Sequence, residues 1–318
     1  MRDVFVEKLI ELVEKNPDIF VVTGDLGFGV LTKLQERLPR QFINAGVAEQ
    51  NMTGLATGLA LGGKIVFTYS IGNFPTLRCL EQIRNDACYH GANVKIVSIG
   101  GGFSYGALGI SHHATEDLSI MRALPDITAV APGDDWEVAG ATEAIAEMPG
   151  TCYLRLDKSK AESTSVSDEP FMLGKARKVK DGDDLTLIAS GGILGEALTA
   201  AENLAEEGIH CRVLSMHTIK PLDADAVYSA CVETGGIVTV EENTVFGGLG
   251  GAVAETCLES GVLPGFFKRI GLRAGFSCIV GSQSHLRRRY GMDAPAISET
   301  VVNLMGSRVK KPRLLGMR

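Results

Sequence analysis

No CxxC pair occurs among the seven cysteines, which leaves neither a zinc knuckle nor a thioredoxin-type redox motif. The cysteines read as free, buried thiols in a reducing cytoplasm. No apolar run reaches the roughly 20 residues that a membrane-spanning helix needs. The opening stretch MRDVFVEKLIELVEKNPD does not read as a signal peptide. Its apolar residues Val4, Phe5, Leu9, Ile10, Leu12 and Val13 recur at helical spacing between charges. Positive charge is not in excess either. The net charge of −7 argues against a general nucleic-acid or anionic-membrane surface, though it leaves room for a local basic pocket.

What is present is the material of an α/β protein. The 318 residues suggest two domains of about 150 residues each, with enough apolar content for sizeable cores. In the first half, short apolar runs predict strands at Ile19–Asp25, in FINAG ending at Gly46, at Lys64–Tyr69, Asn93–Gly100, Ile127–Asp134 and Thr151–Lys158. Between them lie helical segments, including Ala48–Leu61 and Thr76–His90, and Asp134 is placed to cap a helix. Apolar strands alternating with helices predict a parallel sheet covered on both faces. From Ser159 to Asp184 the chain turns polar and aperiodic, and reads as a connection. The second half repeats the style. Strands are predicted at Leu185–Gly192, Cys211–Met216, Gly236–Asn243 and Phe267–Leu272, and the glycine loop FGGLGG opens a helix. The predicted organisation is a doubly wound domain over residues 1–160, a linker over 161–183 and a second doubly wound domain over 184–318. The basic tail KKPRLLGMR reads as frayed.

Glu49 heads a helix beside a glycine turn, in INAGVAEQNMTGLATGLALGG. An acidic residue in a first helical turn is favoured by the helix dipole, and that alone accounts for many such residues. The helix behind Glu49 is almost wholly small and apolar, which predicts that it is buried. A carboxylate at the mouth of a buried helix needs a partner. A ring nitrogen that shares a proton with a carboxylic acid is one.

The segment GVAEQNM resembles the part of the transketolases, and of related thiamine-diphosphate enzymes, that carries the activating glutamate. YSIGNFPTLRCLEQIRNDA, GGFSYGALGISHHATEDLSIMRALPDITAVAPGDDWE and TCYLRLDK follow in the family's order, and the segments SGG, HTIKPLD and VEENTVFGGLGGAVAE resemble its C-terminal domain. The resemblance covers nearly the whole chain. It implies a pyrimidine-binding domain followed by a transketolase C-terminal domain, and transfer of a two-carbon ketol unit from a ketose to an aldose. It also implies that Glu49 shares a proton with the cofactor's aminopyrimidine, which helps remove the proton from the thiazolium carbon. Phe74 matches the aromatic ring stacked on the aminopyrimidine, a reading slightly favoured over an ordinary core phenylalanine at a helix start. His112 matches a histidine that faces the reacting end of the substrate. His113 reads as solvated. Arg155 ends a strand, where doubly wound sheets bind ligands, and matches an arginine that binds the sugar phosphate; a surface salt bridge is the alternative.

The family holds the cofactor's diphosphate through Mg2+ or Ca2+ with a GDG…N motif. Here Gly24-Asp25-Leu26 lacks the third glycine and reads as a strand-end turn, and Asn51 sits on the same helix as Glu49. The resemblance therefore implies a partner chain that carries the diphosphate and metal motif, in an α2β2 heterotetramer, with no metal ligand on this chain. Two departures concern substrate. Leu108 stands where the family has an aspartate, and Gly100 where it has a phosphate-binding histidine. Ser104, Tyr105, His113 or the partner could supply the missing groups, or the substrate is not an ordinary pentose phosphate. A β-subunit of a 2-oxoacid dehydrogenase has similar size and order, but usually carries an FEPKxLYR-like segment where this chain has YLRLDK. A deoxyxylulose-phosphate-synthase-like enzyme is a third relative, and a non-catalytic subunit is disfavoured by the glutamate at position 49.

Overall fold

A computed structural model describes residues 1–162, 164, 169–273 and 275–309. The tail read as frayed and part of the connecting segment lie outside the described residues.

In the first half, β1 (Ile19–Thr23), β2 (Phe42–Asn44), β3 (Ile65–Ile71), β4 (Val94–Ile99), β5 (Ile127–Val130) and β6 (Thr151–Leu156) alternate with helices. These are α1 (Arg2–Lys15), α2 (Thr32–Arg37), α3 (Glu49–Leu61), α4 (residues 77–88), α5 (Asp117–Ala123) and α6 (Asp135–Glu147). The six strands pair in parallel in the order β5-β6-β4-β3-β1-β2. Strands β4 and β6 are buried along their whole length, as continuous apolar runs covered on both faces must be. Asp134 caps α6, its carboxylate accepting from the Glu137 amide at 2.7 Å. The segment expected as one helix over 76–90 is instead irregular. It begins as a 3-10 turn, passes through one α turn and ends in a π turn.

The second half contributes β7 (Arg177–Lys180), β8 (Leu185–Ser190), α7 (Leu194–Glu206), β9 (Cys211–Ser215), β10 (Thr218–Lys220), α8 (Ala224–Glu233), β11 (Ile237–Thr244), α9 (Leu249–Ser260), β12 (Phe267–Leu272), α10 (Gln283–Arg289) and α11 (Ala294–Val309). A second sheet runs β12-β11-β8-β9-β7, parallel except for β7 at its edge. The chain is thus two mainly parallel α/β units, with one exchange between them. Strand β10 does not join the second sheet. It pairs antiparallel with β5 and completes the first sheet at seven strands.

Helix α3 departs from its expected burial. Glu49, Met52, Thr53, Ala56 and Thr57 face inward, where Met52 and Ala56 join a core with Val22, Val66, Ile83 and Ile96. Gly54, Leu55, Gly58 and Leu61 are exposed. The sequence of α3 is apolar on both faces, yet this chain covers only one of them. Among the described residues no helix is long and apolar enough to cross a membrane.

Candidate active site

Glu49 is 3% exposed at the first position of α3. Two glycine turns let the backbone close around it. Gly46 adopts φ +75°, and a side chain on Gly24 would meet Glu49 Cγ at 3.4 Å and the Gly46 carbonyl at 3.5 Å. The carboxylate is held by Arg78, whose Nη1 donates to Oε2 at 2.7 Å. The same guanidinium lies 4.6 Å above the centre of the Phe74 ring. Phe74 in turn meets His112 edge-on at 5.2 Å. Three residues singled out in the sequence, Glu49, Phe74 and His112, therefore form one run, and Arg78 links it. Arg78 lies four residues after Phe74, just inside α4, and a cation so near the candidate ring in sequence is the signal that could have found it.

Asp25 behaves as a turn residue. It adopts φ +58° just after β1 and accepts from Asn44 Nδ2 at 2.9 Å. Asn51 is exposed on α3. Among the described residues no three His, Cys, Asp or Glu side chains cluster so as to hold a metal ion.

His112 is carried by the glycine-rich loop after β4. An antiparallel bridge between Gly102 and Ala114 closes the loop. Burial, and then the neighbouring His113, hold the His112 imidazole below the usual histidine range, so it is neutral near pH 7. Its Nδ1 lies 3.0 Å from Ser111 Oγ. His113 is not solvated as expected. It is 1% exposed, with Nε2 3.0 Å from the Gly106 carbonyl and its ring edge-on to Phe103 at 5.2 Å. The physical reason lies in the loop itself, which folds back under the bridge and turns His113 inward. Gly100 also has a reason. At φ +93°, a Cβ there would fall 2.2 Å from the Tyr105 ring, so the tyrosine occupies the space a larger residue would need.

Arg155 lies near the end of β6, as expected, and its side chain is 2% exposed. Its Nε donates to Asp157 at 3.0 Å, its Nη2 to the Glu242 carbonyl at 3.0 Å, and its Nη1 faces Asp117 at 3.4 Å. Two carboxylates and a carbonyl meet its donors in the interior, so a surface salt bridge does not describe it. The accessible cations lie one turn away. Met1, Arg2, Asp3, Ile99, Tyr105, Asp157 and Lys158 line a recess of about 370 Å³. Lys158 Nζ stands 3.8 Å over the Tyr105 ring, whose other neighbour is His112 at 6.1 Å. Burial and the charge of Arg2 hold the Lys158 ammonium below the usual lysine range. Arg2 is paired with Asp3 at 2.8 Å, which leaves Lys158 as the cation of the recess nearest His112 through Tyr105.

A buried carboxylate at a helix mouth, an aromatic ring joined to it through Arg78, and two parallel α/β units define a class, the proteins that bind the pyrimidine ring of thiamine diphosphate. Residues 1–163 match the transketolase pyrimidine-binding domain, and residues 174–297 the transketolase C-terminal domain. The chain belongs to the transketolase family, whose members are thiamine-diphosphate-dependent transferases. It is 37% identical to one subunit of the apulose-4-phosphate transketolase of Phocaeicola vulgatus, over 96% of this chain and 97% of that one. It is 39% identical to a putative transketolase C-terminal section of Methanocaldococcus jannaschii, over 96% of each chain. Among solved structures it superposes with TM-score 0.85 and 35% identity on a split-gene transketolase described as an inactive β4 tetramer, covering 95% of this chain and 96% of that one.

The residues fit the aminopyrimidine end of the cofactor. Glu49 presents a shielded carboxylate, and Phe74 a ring joined to it through Arg78. Val47, 74% exposed and two residues before Glu49, offers apolar cover.

Proposed function

We propose that this chain is the pyrimidine-side subunit of a two-component transketolase that moves a two-carbon ketol unit from a ketose to an aldose. A second polypeptide holds the cofactor's diphosphate and its Mg2+ or Ca2+ through a GDG…N motif, and the two form an α2β2 heterotetramer in the cytoplasm. The observation that carries this reading is the uncovered face of α3. Glu49 sits at the head of a helix whose Gly54, Leu55, Gly58 and Leu61 are exposed, as is Val47 before it. An apolar helix face of small residues next to a buried acid is material for a protein interface, where the backbone of another chain can approach closely.

Bound there, thiamine diphosphate supplies the carbanion chemistry that no side chain can. Glu49 holds a proton between its carboxyl oxygens and the ring nitrogen. Phe74 fixes the plane of the pyrimidine. His112, neutral and half-buried, donates to or accepts from an oxygen at the reacting end of the sugar. The Arg2–Lys158 recess takes the distal anion. Closing the second chain over α3 excludes water from Glu49. The names of relatives that act on sugar phosphates agree with this substrate class.

The test is reconstitution. The chain is purified alone and with the co-expressed partner, and ketol transfer and thiamine-diphosphate binding are measured on both. Turnover and cofactor affinity are expected only for the pair. Turnover by the chain alone would overturn the two-component reading.

A further inference from the structure

The glycine-rich loop that carries His112 is held by contacts within itself and from both halves of the chain. Gly100, Gly102 and Gly109 all adopt positive φ, and glycine-rich backbone has the most conformational freedom to lose on ordering. Asn73, from the first half, donates to the His113 carbonyl at 2.8 Å, and further fixed points come from the second half of the chain. The Glu242 carboxylate, on β11, accepts from the Phe103 amide at 2.5 Å. Gly102 lies so close that a Cβ there would fall 2.6 Å from Glu242 Cγ. Gln283 and Arg287, one turn apart on α10, hold the carboxylate in place, donating at 3.0 Å and 2.5 Å. Phe103 is then pinned between two rings, stacked on Tyr290 at 5.5 Å and edge-on to His113 at 5.2 Å. Gly102, one residue before it, forms the bridge with Ala114 that fixes the strand of the loop bearing His112.

We infer that Glu242 is a positioning residue for the transfer reaction: through the Phe103 amide and the Gly102–Ala114 bridge it sets where His112 meets the substrate. This rests on the reading of His112 given above. A buried ion pair is a weak source of stability, because desolvation offsets most of its attraction. Glu242 and Arg287, 1% and 4% exposed, are better understood by what they orient. Their carboxylate is aimed at a loop amide of the other α/β unit, which gives the C-terminal unit a part in catalysis without contact with cofactor or substrate.

Glu242→Gln keeps the size of the side chain and an acceptor, but loses its charge toward Arg287. Glu242→Ala removes the clamp. Gly102→Ala keeps both charges of the Glu242–Arg287 pair but forces the loop and the Glu242 side chain apart, and so reports on the same link should Glu242→Ala fail to fold. Kinetics and cofactor affinity are measured on the reconstituted enzyme, and the ring signals of isotopically labelled histidine on the full chain. His112→Ala assigns the His112 signal. Glu242→Ala and Gly102→Ala are expected to move that signal and to lower kcat by about 10²-fold, the scale of a misplacement near 1 Å, with cofactor affinity unchanged and Glu242→Gln intermediate. An unmoved His112 signal overturns the proposal. So does a wild-type kcat in these variants when His112→Ala itself is slow, and so does a kcat loss fully matched by lost cofactor affinity. If His112→Ala turns over normally while Glu242→Ala still moves the signal, the role of His112 in the reaction fails and its positioning by Glu242 stands.

Discussion

Arg78 Nη1 lies 2.7 Å from Glu49 Oε2, so the carboxylate assigned to the cofactor already has a cationic partner within its own chain. Arg78 is about half exposed and Glu49 is buried, so only the arginine end of the pair meets solvent. Bound cofactor would compete with Arg78 for one oxygen of Glu49 and for the face of Phe74.

A double-mutant cycle measures the pair. Arg78→Ala alone is expected to destabilise the free chain by about 1 kcal/mol, since one end is solvated. In a Glu49→Gln background the same change should cost close to nothing, a coupling readable from urea midpoints. Glu49→Gln should leave assembly with the partner intact. It should slow hydrogen–deuterium exchange at the thiazolium carbon, and turnover with it, by about 10²–10⁴-fold. Wild-type exchange in this variant would return Glu49 to the role of an ordinary helix-start acid.

Arg155 and the Arg2–Lys158 recess part company under mutation. Arg155→Ala leaves Asp117 and Asp157 buried without their cation, so unfolding should become easier by about 3–5 kcal/mol. Arg2→Ala and Lys158→Ala should leave the melting temperature nearly unchanged and raise KM for phosphorylated acceptors, with kcat held. A KM effect confined to Arg155→Ala, in a fully stable protein, would support the substrate role first expected of that residue.

Glu241 makes stability depend on pH. Its carboxylate is buried against the start of α9, where it accepts from the Leu249 and Gly250 amides at 2.8 Å each. Burial outweighs those bonds and pushes its pKa up to about 7. A folded-state pKa above the unfolded one means that the native chain binds the extra proton. Stability from this group is therefore full below about pH 4.5 and is lost as pH rises to about 7, by on the order of 3 kcal/mol. Chemical denaturation at pH 5 and pH 8 should show a fall across that window that Glu241→Gln removes. An identical slope in the variant would assign the dependence to other groups.

Much of the fold was legible because buried parallel strands are written as apolar runs that end in glycine or proline. Strands β3, β4, β6, β8 and β11 fall where the sequence predicts them. Strand β7, with the sequence RKVK, and the three-residue β10 carry no such pattern. Each exists because a neighbouring sheet edge accepts it. Glu49 was legible for a different reason: a charged residue heading an apolar helix is conspicuous in one dimension. The burial of Arg155 was not legible because its partners Asp117 and Glu242 lie 38 and 87 residues away. The exposed face of α3 was misread because composition records that a helix is apolar and does not record which chain covers it.

Strand β10 has a consequence for where this protein can be cut. It leaves the second half, seals the β5 edge with Thr218 opposite Val130 and Lys220 opposite Ala129, and returns. A fragment ending near residue 163 would keep every other strand of the first sheet but leave the amides and carbonyls of β5 bare. Unsealed edges pair with whatever strand they meet, often a second copy of themselves. The two halves are thus stitched as well as tethered, and anyone expressing the first alone should plan for fibrous or insoluble material.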